Sequence, residues 1–306
     1  MTHAPVMIGP ELEGRLDWLA LTEALIAGHA GARAELADVF LTRGADTLLS
    51  RAALIDGLGS LVKTATVFPG NPERGLPAVN GGASLFDDAT GRLEAIVDFH
   101  LLTKWKTAGD SLLAARLLAR PEAQAITLVG AGTVARSMAA AYRCVFPRAR
   151  FTIWSRTEAS ARALADEVGA EASRDLEAAV RGADIICTAT LSRDPLIAGD
   201  WLRPGQHLDL IGAFRAYMRE VDDEALRRAR IFVDSRETTI GHIGELKDPI
   251  ARGVISAGDV VADYYDIAAG RFARGGPDEI TLAKNGGGAH LDLMTARYML
   301  ECSRSA

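Results

Sequence analysis

The chain has 306 residues, a formal net charge of −6, and apolar and charged fractions of 48% and 24%, an ordinary globular composition with room for two domains. The acidic balance and the lack of a basic block exclude a protein that tracks nucleic-acid phosphates, and no apolar run approaches the roughly 18–20 residues that span a bilayer. Cys144, Cys187 and Cys302 are scattered and odd in number, and Glu11, Glu13, Arg15 and Asp17 precede the first apolar segment; these features suit a soluble cytoplasmic protein with no disulfide framework, no metal and no secretory leader.

In chain order, DWLALTEALIAGH (17–29) has helical apolar spacing and Gly31 offers a stop. Between Thr47 and Asp98 the runs LVKTATVF, ASLFDD and LEAIVDFH are separated by PGNPERGLP, NGG and DATG. They predict an antiparallel strand meander, with a hairpin turn at DATGR (88–92). A long helix follows, from Thr103 to Arg120, ended by Pro121.

Beyond Pro121 strands and helices alternate: AITLVG, VARSMAAAYRCV, ARFTIWS, EASARALADEV, then DLEAAVRGA, DIICTAT, HLDLIGAF, DDEALRRA and RIFVDS. This rhythm predicts right-handed βαβ units and a parallel sheet. DVVADYYDIAAGRF and EITLAKNGGG lead to a last helix in AHLDLMTARYMLECS, expected to return to the first domain. The fold class is therefore α/β, with residues 1–120 and 292–306 forming one domain and 121–291 a Rossmann domain.

Gly130-Ala131-Gly132-Thr133-Val134-Ala135 fits GxGxxA, between an apolar strand and a helix and ahead of a second strand. The first glycine permits the tight turn, the second lets backbone approach a pyrophosphate, and the small sixth residue allows close helix–strand packing. The helix N-terminus then supplies N–H donors to the phosphates. At the end of the second strand, where an NAD enzyme carries an acid for the ribose 2′-hydroxyl, stand Ser155, Arg156 and Thr157. A hydroxyl and a guanidinium suit a 2′-phosphate, so NADP(H) is favoured over NAD(H).

The VKTATVFPGNPERGLPAVNGGASLFDDATGRLEAI and LLTKWKTAGD segments, the GAGTVA turn, ATLSRDPL and GGGAHLDL follow one another in an order and spacing that resemble the ornithine cyclodeaminase/mu-crystallin family across nearly the whole chain. The resemblance implies an N-terminal α/β substrate and dimerisation domain completed by the C-terminal helix, beside the Rossmann domain, and a homodimer. Family activities include ornithine cyclisation, amino-acid dehydrogenation and reduction of cyclic ketimines. Lys63 coincides with the family's substrate-site lysine, whose pKa can fall on burial and make it a proton donor. Lys106 stands where the family has an arginine that grips the substrate carboxylate; it keeps the charge but not the bidentate fork, and Arg51 is the candidate to supply a guanidinium. Thr188, Thr190 and Ser192 resemble the loop bordering nicotinamide, and His290, in a glycine-rich segment with Asn285 and Asp292, is placed near the carboxamide or in a structural role.

The chain departs from the cyclodeaminase pattern at IGAFRAYMRE, where Phe214 replaces an aspartate that faces the substrate's amino groups. A phenyl ring cannot pair with an ammonium, which turns the reading toward imino-acid reductases, unless Asp110 or Asp292 supplies the acid. The expectation is an NADPH-dependent reductase of Δ1-pyrroline-2-carboxylate or its six-membered homologue Δ1-piperideine-2-carboxylate. An ornithine cyclodeaminase-type lyase, an amino-acid dehydrogenase, and a non-catalytic NADP and small-ligand binder remain as alternatives.

Overall fold

The computed structural model describes residues 4–304. The chain divides into two compact units: one runs through Lys106 and resumes at Gly288, the other is Thr107–Gly287.

The first unit contains β1 (Val6–Ile8), α1 (Trp18–His29), β2 (Glu35–Arg43), β3 (Asp46–Ile55), β4 (Gly59–Val67), β5 (Val79–Phe86), β6 (Leu93–Asp98) and the start of α2 (Phe99–Leu118). The strands form one sheet in the order β1-β6-β5-β4-β3-β2, antiparallel except for the β1–β6 pair. Helix α1 falls within the expected segment and is capped by Asp17, whose carboxylate accepts the Ala20 N–H at 2.8 Å. At the expected hairpin turn, Asp87 accepts the Thr90 N–H at 2.9 Å and Gly91 takes a left-handed φ of 66°.

Two boundaries differ from expectation. Strand β2 precedes the predicted meander and pairs with β3 along its whole length, from Glu35 opposite Leu54 to Arg43 opposite Asp46. It is an edge strand exposed on both faces, so its sequence carries no inside–outside alternation to read. Helix α2 begins at Phe99 rather than Thr103, because the Asp98 carboxylate accepts the Leu101 N–H at 2.8 Å; Phe99 and His100 look like strand continuation in the sequence but form the first helical turn.

The second unit comprises β7 (Ala125–Val129), α3 (Thr133–Val145), β8 (Arg150–Trp154), α4 (Glu158–Val168), β9 (Glu171–Ser173), α5 (Leu176–Gly182), β10 (Ile185–Thr188), β11 (His207–Leu210), α6 (Asp223–Arg228), β12 (Arg230–Val233), α7 (Arg236–Thr239), α8 (Gly244–Ala251), β13 (Val260–Ala262) and β14 (Thr281–Lys284). Its sheet is parallel throughout and ordered β13-β12-β14-β11-β10-β7-β8-β9. The run β9-β8-β7-β10-β11 is the doubly wound arrangement, with the order reversing between β7 and β10. Strand β14 inserts between β11 and β12, a placement that chain-order alternation does not predict. Leu128, Val129, Ile186, Leu208, Leu210 and Leu282 lie in its buried core.

The last helix, α9 (Ala289–Arg304), belongs to the first unit, where it packs on α1, β3 and β4. Among the described residues no helix is long and apolar enough to cross a membrane. The α1–α9 approach is close at Gly28, where an added Cβ would lie 2.6 Å from Met294 Sδ. Gly28→Ala is therefore expected to lower the stability of this unit by about 1–3 kcal/mol through overpacking, read as a lower urea midpoint at unchanged slope.

Candidate active site

Strand β4 alternates, with Leu61, Lys63 and Ala65 buried and Val62 exposed. Register pairs Lys63 with Arg51 on β3, and Arg51 with Asp38 on β2, so three charged side chains form a row on the face covered by α9. Lys63 Nζ donates to Asp292 Oδ1 at 2.8 Å, with the two side chains only 7% and 0% exposed. The ammonium also lies 4.9 Å from the centre of the Phe99 ring. The second oxygen of Asp292 is buried and accepts no hydrogen bond from the described residues. The Arg51 guanidinium donates to Asp38 through Nε at 3.3 Å and Nη2 at 2.8 Å. Lys106 is buried, and its charge acts on both members of the Lys63–Asp292 pair. Lys104, by contrast, is part-exposed and bonded to Glu13.

Burial lowers the Lys63 ammonium to about 8, with Asp292 opposing the shift and Lys106 and Arg51 adding to it. Burial alone would raise the Asp292 carboxyl, but the charges of Lys63, Lys106 and Arg51 outweigh it and hold it below the usual carboxylate range. The result is a lysine able to exchange its proton around pH 8 and a carboxylate that stays ionised, with the cations Lys106 and Arg51 acting on both.

His290 lies on α9 rather than in the glycine-rich segment, which ends at Gly288. It is fully buried and meets His29 edge-on at 5.2 Å, a packing position in the first unit.

In the second unit the GAGTVA turn joins β7 to α3. Gly130 has φ 123°, and a Cβ there would lie 2.5 Å from the Ala189 carbonyl oxygen, so only glycine fits. A Cβ at Gly132 would meet nothing within 4 Å, and no side chain caps the N-terminus of α3. Ala131 and Val134 are half-buried, Thr133 is exposed and Ala135 is fully buried. This open, uncapped turn fits a pyrophosphate. After β8, Ser155 is half-buried while Arg156 and Thr157 are exposed. At the adjacent end of β9 lies a cavity of about 360 Å³ lined by Glu158, Arg162, Ser173, Arg174 and neighbours.

The hydroxyls expected at the nicotinamide loop are turned to other tasks. Thr188 is fully buried; its Oγ1 and that of Thr190 each donate to Glu220 at 2.7 Å, and Ser192 Oγ donates to the Asp194 carbonyl at 2.6 Å. They shape the loop. Phe214, after β11, is 53% exposed. Asp110 is buried and accepts the Tyr264 hydroxyl at 2.8 Å, a structural bond.

Sequence reasoning missed Glu220 and gave Asp292 no definite role. An acid within the apolar run AHLDLM, in a chain that also carries a strand lysine between apolar neighbours, is the available signal for the second.

The sequence matches the ornithine cyclodeaminase/mu-crystallin family over residues 54–306. A Δ1-pyrroline-2-carboxylate reductase of Paracoccus denitrificans is 52% identical over 293 residues, covering 94% of this chain and 93% of that protein. Among solved structures, the Thermococcus litoralis Δ1-pyrroline-2-carboxylate reductase in complex with NADH and L-proline has a TM-score of 0.88 at 25% identity, over 97% of each chain. An archaeal alanine dehydrogenase dimer with bound NAD reaches 0.89 at 28% identity, over 98% of this chain and 96% of that one. The chain belongs to the ornithine cyclodeaminase/mu-crystallin family. It is an oxidoreductase that uses a nicotinamide dinucleotide and acts on the CH–NH/C=N group.

The Lys63 shift carries a sign for stability. Its folded value, about 8, lies below the ordinary 10.5, so between these values the unfolded chain binds more protons and the Lys63 contribution to stability rises with pH. Unfolding by urea across this range is expected to show that rise in the wild type and its loss in Lys63→Met.

Proposed function

We propose that this enzyme reduces small cyclic imino acids, Δ1-pyrroline-2-carboxylate to L-proline and the six-membered Δ1-piperideine-2-carboxylate to L-pipecolate, with NADPH as the preferred cofactor. The buried Lys63–Asp292 pair, flanked by the cations Lys106 and Arg51, carries the reading, and the 52% identical relative is named for the five-membered reaction. Gly130, Ala131, Gly132, Thr133 and Val134 would hold the pyrophosphate, and Ser155, Arg156 and Thr157 the 2′-phosphate. Bound there, the cofactor supplies a hydride for the imine carbon.

Lys106 and Arg51 hold the substrate carboxylate. Lys63 protonates the imine nitrogen, making the adjacent carbon electrophilic, so that one proton and one hydride convert C=N to CH–NH. Asp292 remains ionised and orients the ammonium. Phe214 offers no partner to a second amine, in keeping with a ring that has one nitrogen. Arg156, exposed after β8, is the residue we assign to the 2′-phosphate and so to cofactor choice. The outward sheet face bearing Val39, Leu41, Leu54 and Val62, all exposed, supports a homodimer. That Cys144, Cys187 and Cys302 form no disulfide among the described residues is in keeping with a cytoplasmic location.

One observation favours testing the lyase reading in parallel: the free oxygen of Asp292 is the kind of acceptor a diamino acid needs.

With Δ1-pyrroline-2-carboxylate, NADPH oxidation is expected to be rapid and L-ornithine with NAD⁺ to release no ammonia; the opposite pair of results would make the enzyme a cyclodeaminase. Lys63→Ala should lower kcat about 10²–10⁴-fold. The wild-type rate should fall as pH rises through about 8, and Asp292→Asn, which removes the effect that raises the ammonium, should move that fall to lower pH. Arg156→Ala should weaken NADPH about tenfold or more, the loss of a charge-assisted contact, and leave NADH binding near its starting value.

A further inference from the structure

Glu220 accepts five hydrogen bonds through its carboxylate. It is completely buried. Its Oε2 accepts from Thr188 Oγ1 at 2.7 Å and from the backbone N–H groups of Gly212 at 2.8 Å and Ala213 at 3.1 Å. Its Oε1 accepts from the Thr190 N–H at 2.9 Å and Thr190 Oγ1 at 2.7 Å.

All these donors come from two places: the end of β10 with the loop after it, and the loop after β11. The two strands are adjacent and parallel, so both loops emerge from the C-terminal edge of the sheet. Glu220 is itself held from behind, where Glu245 on α8 accepts its N–H at 2.7 Å and that of Val221 at 3.1 Å. The crossing is tight: a Cβ on Gly212 would lie 2.2 Å from Glu220 Oε1 and 2.3 Å from the Thr190 nitrogen. Desolvating a carboxylate is costly, and apolar packing would close a loop without that cost. What a carboxylate with convergent donors adds is geometry, since each N–H and O–H must point at one of two oxygens.

The loops so fixed carry exposed apolar side chains, Leu191 at 78%, Phe214 at 53% and Tyr217 at 61%. In a doubly wound sheet the two halves each receive one nucleotide of a dinucleotide, beyond the carboxyl ends of the strands and across the switch point. The first half here contains β7 and the glycine turn; β10 and β11 begin the second.

We propose that Glu220 is a positioning residue, holding the loops after β10 and β11 in the one shape that receives the nicotinamide half of the cofactor. The assignment rests on the cofactor reading above. It gives Thr188 a definite place as a buried donor acting through Glu220 rather than a group touching the cofactor, and it explains why position 212 admits no side chain.

Calorimetric titration of the whole enzyme tests it, comparing NADPH with adenosine 2′,5′-bisphosphate, which has the adenylate half alone, and NADH with AMP. Glu220→Gln replaces one accepting oxygen by an amide that turns its hydrogens toward existing donors. It should weaken the intact dinucleotides about tenfold or more, while the adenylate fragments stay within about twofold of wild type. Thr188→Val, which keeps the shape and removes one donor, should show a smaller loss of the same kind and serves as the second variant should Glu220→Gln fold poorly. Equal weakening of dinucleotide and fragment, together with a lower melting temperature, would make Glu220 a general structural residue and overturn the proposal. Unchanged dinucleotide binding in both variants would overturn it as well. A wild-type enzyme that binds neither dinucleotide nor fragment would instead overturn the cofactor reading, and this assignment with it.

Discussion

An ammonium and a carboxylate at 2.8 Å, sealed between a strand and a helix, set the chemistry available to the first unit. Neither charge could be buried alone without a penalty of several kcal/mol, and removing one partner of such a pair typically costs about 3–5 kcal/mol. Apolar neighbours on both sides, Leu61, Ala65 and Ala83 from the sheet and Leu291 and Leu293 from α9, are buried with it. In that setting Lys63 feels its charged neighbours strongly, because little water screens them. Around the pair lie Arg51, bonded to Asp38, and Lys106, whose charge acts on both partners.

The second unit handles charge differently. Its glycine turn is backbone alone, with two glycines in different settings: at Gly130 Ala189 leaves no room for a Cβ, while Gly132 borders open space. Beyond the strand ends, buried carboxylates collect backbone donors. Glu220 does so for two loops, Glu245 for the segment that carries Glu220, and Asp234 for Ser235 and Gly287 at 2.8 and 2.6 Å. Lys284 answers them from the centre, donating to the carbonyls of Leu210 at 2.7 Å and Asn285 at 2.9 Å. Burial pushes Glu245 up to about 7, with the charge of Glu220 adding to it, which marks how little water reaches this layer.

The parts of this architecture that obey a local rule were legible in the sequence. Apolar runs of strand length, the helical spacing of residues 17–29 and the glycines of the turn express their structure within a few positions, and the family resemblance drew attention to Lys63. What stayed hidden depends on partners far away in the chain. Strand β2 has no buried face to give it a period. The start of α2 was decided by Asp98, a cap embedded in an apolar stretch. The insertion of β14 between β11 and β12 is a choice among equally apolar neighbours. Asp292 acquires its meaning only beside Lys63, 229 positions earlier, and Glu220 looks like an ordinary surface acid until its five donors converge. The family resemblance places Thr188 in a loop bordering nicotinamide; its own sequence gives no sign that its hydroxyl is buried against Glu220.

The return of α9 to the first unit has a consequence for how the protein is made. The sheet carrying Lys63 is synthesised early, yet the helix that covers it follows the whole of the second unit in the chain. The second unit is continuous and can complete its own core as it emerges, as domains usually do. The first must wait with one sheet face uncovered and its lysine lacking its carboxylate, and it closes only through contacts of very long sequence separation, the slowest kind to form. The Lys63–Asp292 pair thus forms late, in one step with burial of that face, so a ribosome-stalled or truncated product would carry a completed second unit but a lysine without its carboxylate.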